Sequence, residues 1–513
     1  MPEDMLKVNE FEHGADLTGI REQQATVTYD EQAVSRYQAE STEALLDDTK
    51  RLLQMVRHHH RYQVPRLRYL EAYYLGNNVE ILQGQRRIEK NKSDHRARHC
   101  FAATISDFIN TYVLGIPVKV IIEGEDPDRP LTEFEDLVYK FNKENDINAH
   151  NSEIGLDQNN LGRAYELLER TQEDQDRIYR LDPTEVFMIH DFTVRSRVIA
   201  ACRYYQPDKA EDKYTIELYT SNAIYRYRPV SLDSDRALTL NEAPAPHLFN
   251  GVPIIEYRSD RHRMGVYERV LPQIDLYDAA VSDTANYMTD FNDAILTIEG
   301  RLKADLISQV PKMKDANVLV LIPEDDGQGT GAGLTAKYLT KSYDVNGVEA
   351  HKSRLKNDIF NLSAVPNLSD EAFSGQRSGE ALKYKMFGLE QRKQDKEKFL
   401  AKGFRVRYKL LENMKEAVNE YSGDIPRLSF KFTPNLPKAY LEELQTFTNA
   451  GGELSQETML GLLSFIEDVP GEQERIKAEQ SENVPEVDED EYRYDEARRA
   501  ITGIRQEEGV AGA

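Results

Sequence analysis

The run Gly327-Gln328-Gly329-Thr330-Gly331-Ala332-Gly333 has the composition of a loop whose backbone N–H groups cradle a phosphate, and it follows an apolar, strand-like stretch. Such a loop normally opens a helix, whose N-terminus holds the anion. Here Leu334–Thr340 follows with the alternation of a strand, and no glycine precedes Lys-Ser or Lys-Thr to supply a phosphate lysine. The run therefore reads as a hairpin tip. His58-His59-His60 supplies three ligand-type side chains. Neighbours on a helix point about 100° apart and converge poorly on one ion, so the triplet reads as a solvated face. Gly375-Gln376-Arg377-Ser378-Gly379 lacks the central serine of a nucleophile elbow. The acidic run Glu486–Glu491 lies in hydrophobe-poor sequence and reads as a solvated, disordered segment. Cys100 and Cys202 are the only cysteines, which excludes a CxxC metal site and a disulfide framework. No catalytic residue, metal site or cofactor is expected; the chain reads as a non-enzyme.

Charge is the other chemical resource. The 513 residues carry 65 basic and 89 acidic side chains, a net charge of −24. Residues 1–50 hold 4 basic and 12 acidic groups, and residues 467–496 hold 3 and 13. Against them, Lys383–Lys415 holds 11 basic and 4 acidic residues. Lys383, Lys385, Arg392, Lys393, Lys396, Lys398, Lys402, Arg405 and Arg407 could face phosphates or pair with acidic surfaces of neighbouring subunits. A protein that grips DNA through its phosphates shows a basic face overall. This chain does not, so any contact with nucleic acid is expected to be loose or confined to a band. No run approaches the ~20 apolar residues of a membrane span. With an acidic N-terminus that lacks a secretory signal, the expectation is an intracellular protein without a membrane.

The elements that would position these groups are mostly legible. Residues 1–40 are polar and aperiodic, a disordered acidic arm. A helix is expected over Ser41–His60, a second over Val64–Leu75 and a third over Arg96–Leu114. From Ala164 to Tyr257 the period is two: a hairpin from Ala164–Arg170 and Arg177–Leu181, then Glu185–Asp191, Val198–Gln206, Tyr214–Thr220 and Ala223–Arg228 as an antiparallel series. Met264–Asn292 carries Val266, Val270, Ile274, Tyr277, Val281, Ala285 and Met288 on one helical stripe, with Asp275, Asp278, Asp283, Asp290 and Asp293 off it. Pro272 should delay the first turn. Ala294–Ile298, Asn317–Ile322 and Leu334–Thr340 read as strands and Val348–Ser363 as a helix. Ala364–Gly379 is a long, partly apolar loop of the sort that tends to be functional. A long helix follows over Glu380–Glu420, with kinks expected at Gly388 and Gly403. Arg427–Phe432 is a strand; Lys438–Gly451 and Ser455–Ile466 are short helices. The fold class is α+β, mainly helical.

In this setting the chain resembles the portal proteins of tailed bacteriophages, of the Gram-positive siphophage type. The resemblance rests on Tyr73-Tyr74-Leu75-Gly76, Tyr112–Val118 (Tyr-Val-Leu-Gly-Ile-Pro-Val), Asp182-Pro183-Thr184-Glu185-Val186-Phe187 and Gly251–Tyr257. It continues through Gln273–Asp283, Phe291–Leu296, Pro366–Phe373 and Ser378–Lys385. Each fragment is short; the eight occur in family order. The resemblance implies a homo-oligomeric ring, typically of twelve subunits, at one capsid vertex of the virion, assembled in the host cytoplasm. Its implied partners are double-stranded DNA without regard to sequence, the terminase packaging motor, scaffolding and major capsid proteins, and a head–tail adaptor. It implies a wing over 41–263, stem helices over 264–293 and 347–363, and a clip over 294–346. A tunnel loop at 364–379, a long kinked helix and return wing strand over 380–435, a crown over 436–480 and a disordered acidic tail over 481–513 complete the scheme. Pro366, Asn367, Leu368, Ser369, Asp370 and Phe373 would then line the tunnel loop. Asp278, Asp283, Asp290, Lys383, Lys385, Arg392 and Lys393 are the candidate lumen or subunit-interface positions. Two competing classes are a nucleotide-driven packaging enzyme, which would hydrolyse ATP, and another head–tail ring adaptor.

Overall fold

The computed structural model describes residues 36–83, 93–123, 132–291, 295–299, 318–321, 335–339, 344–367, 379–421 and 427–435, with a few isolated residues beyond. Its contacts divide the chain into Met1–Asn435 and Leu436–Ala513. The helices expected over 438–466, and with them the crown, lie outside the described residues, as do the glycine-rich run and both acidic extremities.

The described residues begin with a short strand, β1 (Tyr37–Gln38), with Tyr37 buried, so residues 36–40 do not belong to a disordered arm. The single helix expected from Ser41 is two, α1 (Thr42–Asp47) and α2 (Thr49–His58). Ser41 Oγ accepts from Ala44 N (3.2 Å) and Asp48 Oδ1 from Arg51 N (3.2 Å), so a hydroxyl and then a carboxylate cap successive starts. From α2 the backbone stays helical through one π-turn, His59–Gln63, into α3 (Val64–Tyr74). Pro65 explains the widening: it has no N–H to return to Arg61, and the Val64 N–H reaches back five residues to the His59 carbonyl. The turn rotates His59 into the core, where it is wholly buried with Nδ1 2.8 Å from the Tyr204 hydroxyl. The histidine triplet is thus no solvated face; its middle member is a packing residue whose burial holds its pKa well below the ordinary value.

The helices α4 (Val79–Leu82) and α5 (Phe101–Leu114) follow, then β2 (Lys119–Glu123). Two helices that periodicity did not assign come next, α6 (Thr132–Glu144) and α7 (Ile147–Leu161). The strand series is as read: β3 (Arg163–Arg170), β4 (Asp176–Leu181), β5 (Val186–His190), β6 (Val198–Tyr205), β7 (Thr215–Tyr219) and β8 (Ala223–Arg226), then β9 (Ala245–Pro246) and β10 (Ile254–Arg258). One sheet has the order β1-β5-β6-β7-β8-β9, antiparallel apart from the β1–β5 pair; a second has the order β10-β3-β4. Helices α1 and α2 lay Leu45, Leu52 and Val56 on Phe187, Ile189 and Leu218 of the larger sheet, each such leucine contributing about 1.5–3 kcal/mol by leaving water.

A 3₁₀ turn (Glu268–Val270) precedes α8 (Leu271–Phe291), so the helix starts one residue before Pro272, later than Met264. Strands β11 (Ile295–Glu299), β12 (Val318–Leu321) and β13 (Thr335–Leu339) lie between α8 and α9 (Val345–Ser363). Their order is β12-β11-β13, with β12 parallel and β13 antiparallel to β11. Strands β12 and β13, which flank the glycine-rich run in sequence, are therefore not paired with each other. Helix α10 (Gly379–Ala417) runs unbroken for 39 residues. Its two interior glycines have a packing reason: a Cβ on Gly403 would overlap the buried Tyr257 ring, and one on Gly388 would touch Ala364. Last, β14 (Arg427–Lys431) pairs antiparallel with β2, closing a region built from two distant parts of the chain. Its core gathers residues of α3, α5, α6, α7, α9 and α10, with Ile274 and Phe404 among them. The class is α+β, as expected.

Candidate functional site

Helices α8 and α9 pack against each other on either side of the three-stranded sheet in sequence, and what anchors α8 decides which of its polar residues are available. Asp278 is fully buried. Asn78 Nδ2 donates to its Oδ2, and His99 Nδ1 lies 2.7 Å from its Oδ1. One turn on, Ser282 Oγ accepts from Ala97 N (2.9 Å) and donates to the Asp278 carbonyl (2.6 Å). A further turn on, Asn286 Oδ1 accepts from His95 N (2.6 Å), and Thr289 Oγ1 sits 2.9 Å from His95 Nε2. This ladder satisfies a non-helical segment, 94–100, whose backbone groups would otherwise lack partners. It also explains why α5 begins at Phe101 and not at Arg96.

Asp278 is therefore not a lumen or interface residue. Burial raises its pKa, opposed by the bonds from Asn78 and His99. Asp275, half-buried one turn earlier, accepts from the Tyr73 hydroxyl (2.5 Å), which in turn accepts from Tyr69 (3.2 Å). Burial, against that hydrogen bond and with help from Glu80 and Asp278, pushes Asp275 up to about 7. A carboxyl whose folded pKa is raised favours the protonated native state, so this contribution to stability is lost as pH rises from the ordinary carboxylate range through about 7. Asp275→Asn should keep the Tyr73 bond and flatten that decline. Thermal unfolding at pH 5 and pH 8 tests this: an unchanged difference between the two pH values would show that Asp275 does not titrate in that window.

Of the other off-stripe positions, Asp283 is exposed. The side chains of Asp290, Lys383 and Lys385, and residues Leu368, Ser369, Asp370 and Phe373, lie outside the described residues. Pro366 and Asn367 are half-buried, just after Ala364 ends α9 in a left-handed conformation (φ 56°). Ala364 meets Gly388, so the start of this loop is packed on α10.

Much of the basic character of α10 is consumed inside the subunit. Lys393 is buried and pairs with Glu397 (2.9 Å) and Glu390 (3.8 Å). Arg392 donates to the Val266 carbonyl (3.3 Å). Lys396 is buried with its ammonium on the Gly155 carbonyl (3.0 Å) and Asn159 Oδ1 (2.5 Å), and burial pulls its pKa down to about 7. Arg407 is wholly buried against Glu166. Lys393, Lys396 and Arg407 are therefore not phosphate contacts; Lys398, Lys402 and Arg405 remain exposed. Apolar side chains, by contrast, stand in solvent on the long helices: Leu276 (55%) and Met288 (49%) on α8, Leu362 (56%) on α9 and Phe387 (61%) on α10. Leu276, Leu362 and Phe387 lie off the buried stripes of their helices, whereas Met288, expected on the buried stripe of α8, is exposed: beyond Ile274 the face of α8 that packs is the polar one of Asp278, Ser282 and Asn286.

Among the described residues no group of three His, Cys, Asp or Glu side chains is placed to hold a metal ion, and no described helix is long and apolar enough to cross a membrane. The family described as phage portal protein, SPP1 Gp6-like, matches residues 53–486. The chain belongs to this family of structural proteins. It is also similar to the portal protein of Clostridium phage phiCD119, at 22% identity over 427 residues, covering 78% of this chain and 89% of that protein.

Proposed function

We propose that copies of this chain, a portal protein of the Gram-positive siphophage type, close into a ring of about twelve at one capsid vertex of the virion. The ring is a conduit through which double-stranded DNA is packaged and later ejected. In this reading residues 41–263 form most of the wing, 264–293 and 347–363 the stem, 294–346 the clip, 364–379 the tunnel loop and 436–480 the crown. Assembly takes place in the host cytoplasm with scaffolding and major capsid proteins. The clip meets the terminase motor during packaging and the head–tail adaptor afterwards.

Beyond family membership, the observation that carries this reading is the set of exposed apolar residues Leu276, Met288 and Leu362 on two packed helices. A closed cyclic ring needs two different patches per subunit. Apolar side chains on helices that frame an inserted sheet suit such contacts, and their burial supplies association energy. Native mass spectrometry of the purified protein should give a closed oligomer of about twelve subunits. Leu276→Glu with Leu362→Glu should shift it towards monomer without loss of helix signal. A wild-type protein that remains monomeric at micromolar concentration would overturn the ring.

A further inference from the structure

A cleft of about 320 Å³ opens where β1 meets α2, lined by Arg36, Tyr37, Arg51, Gln54, Met55 and His58. None of these is acidic, in a chain with a net charge of −24. Neither guanidinium has a carboxylate within ion-pair distance among the described residues. Arg51 is held in place: Nη2 donates to the Gln38 carbonyl (3.1 Å), and its guanidinium lies 5.9 Å from the Phe192 ring centre. His58 is positioned by its Nδ1, 2.9 Å from the Tyr37 hydroxyl. We propose that this cleft is a phosphate-binding site, in which Arg36 and Arg51 grip the oxygens of a phosphate ester and Gln54 and His58 complete the donor set.

Two planar guanidinium forks arriving from different elements suit an anion with several acceptor oxygens better than a point charge would. Exposed arginines are normally matched with carboxylates or left apart, and here two share one wall without either. Burial and the nearby Arg263, Arg258 and Arg261 charges depress the pKa of Arg36, against an opposing pull from Glu256. The site does not depend on ring formation. The phosphate could come from a DNA backbone or from a small phosphate compound, and the two are separable by experiment.

The test uses the full chain, a fluorescently labelled 20-base-pair duplex and inorganic phosphate as probes. Arg36→Ala with Arg51→Ala, both on exposed side chains, should raise the Kd for duplex about tenfold at low salt. The slope of log K against log salt should fall by about 1.8, as expected for two lost phosphate contacts. Lys209→Ala, an exposed control between β6 and β7, should do neither. If inorganic phosphate at millimolar concentration raises the thermal midpoint of wild type but not of the double variant, while duplex binding is unaffected, the source is a small phosphate. If duplex binding responds, it is the DNA backbone. Unfolding midpoints of the unliganded proteins show whether the variant is folded. Should it be misfolded, Arg36→Gln with Arg51→Gln replaces it. A folded variant that binds both probes as wild type does would overturn the site. So would binding confined to a synthetic peptide of residues 1–35.

Discussion

Arg407→Ala is expected to destabilise the protein by about 3–5 kcal/mol, the cost of leaving a charge buried without its partner. Arg407 and Glu166 are both fully inaccessible. Nε donates to Oε1 (2.9 Å) and Nη2 to Oε2 (2.6 Å), a two-pronged bond across 241 positions of sequence. Glu166 is further held by the Tyr257 hydroxyl (2.7 Å) and lies 3.0 Å from His150 Nε2, while Arg407 Nη1 donates to Asn151 Oδ1 (2.8 Å). The guanidinium also lies 4.6 Å from the Phe404 ring centre. One ion pair thus ties α10 to β3, α7 and β10. Burial alone would raise the Glu166 pKa; the Arg407 charge and the bonds from His150 and Arg407 overcome it and hold the group at about 2. Because that folded pKa is depressed, the contribution is present above the ordinary carboxylate range and is lost as pH falls through about 2. Urea unfolding at pH 7 measures the effect. Arg407→Met combined with Glu166→Leu should recover part of the loss, since no orphaned charge remains, although the Tyr257 hydroxyl and Asn151 Oδ1 lose their partners. If Arg407→Ala alone changed stability by less than about 1 kcal/mol, the pair would have to be solvated and the junction it closes would be loose.

The same residue marks the limit of reading this chain as a string. Arg407 and Lys396 stand in a basic run, and a linear sequence offers no sign that they point inward; only Glu166 and the Gly155 carbonyl, more than 230 residues away, decide it. Helix α7 is hidden for a related reason. Its buried face includes Asn151, Asp157, Gln158, Asn159 and Asn160, each hydrogen-bonded to a tertiary partner through at least one side-chain atom, so hydrophobic periodicity vanishes where burial is greatest. Helix α6 did carry a signal in the spacing of Phe134, Val138 and Phe141, all buried. What was legible is what local physics governs. The strands β3 to β8 show as apolar and aromatic runs between turn residues, although β5 is buried along its whole length, and the start of α8 shows through the buried Ile274. The topology of β11, β12 and β13 was not, since a parallel neighbour and a hairpin neighbour require the same alternation.

The second large effect separates anchoring from passage. Asp278→Lys should abolish soluble folded protein, whereas Asp283→Lys, one and a half helical turns away on an exposed position, should leave folding intact. Lysine at 278 would bury a cation beside His99 and strand the Asn78 amide, with no carboxylate left to receive either. Even the milder Asp278→Ala leaves the buried Asn78 amide unpaired, at about 1–3 kcal/mol. Because Asn78 and His99 connect α8 to the body that precedes it, this loss should release the helix as well as weaken the core. The distinction bears directly on how a conduit is tested. A drop in packaged DNA caused by Asp278→Lys would report failed assembly and say nothing about charge in the bore. Asp283→Lys is the informative change, provided circular dichroism and native mass match wild type. If Asp278→Lys instead gave folded rings while Asp283→Lys did not, the inward turn of α8 described above would be wrong, and Asp278 would return as a lumen candidate.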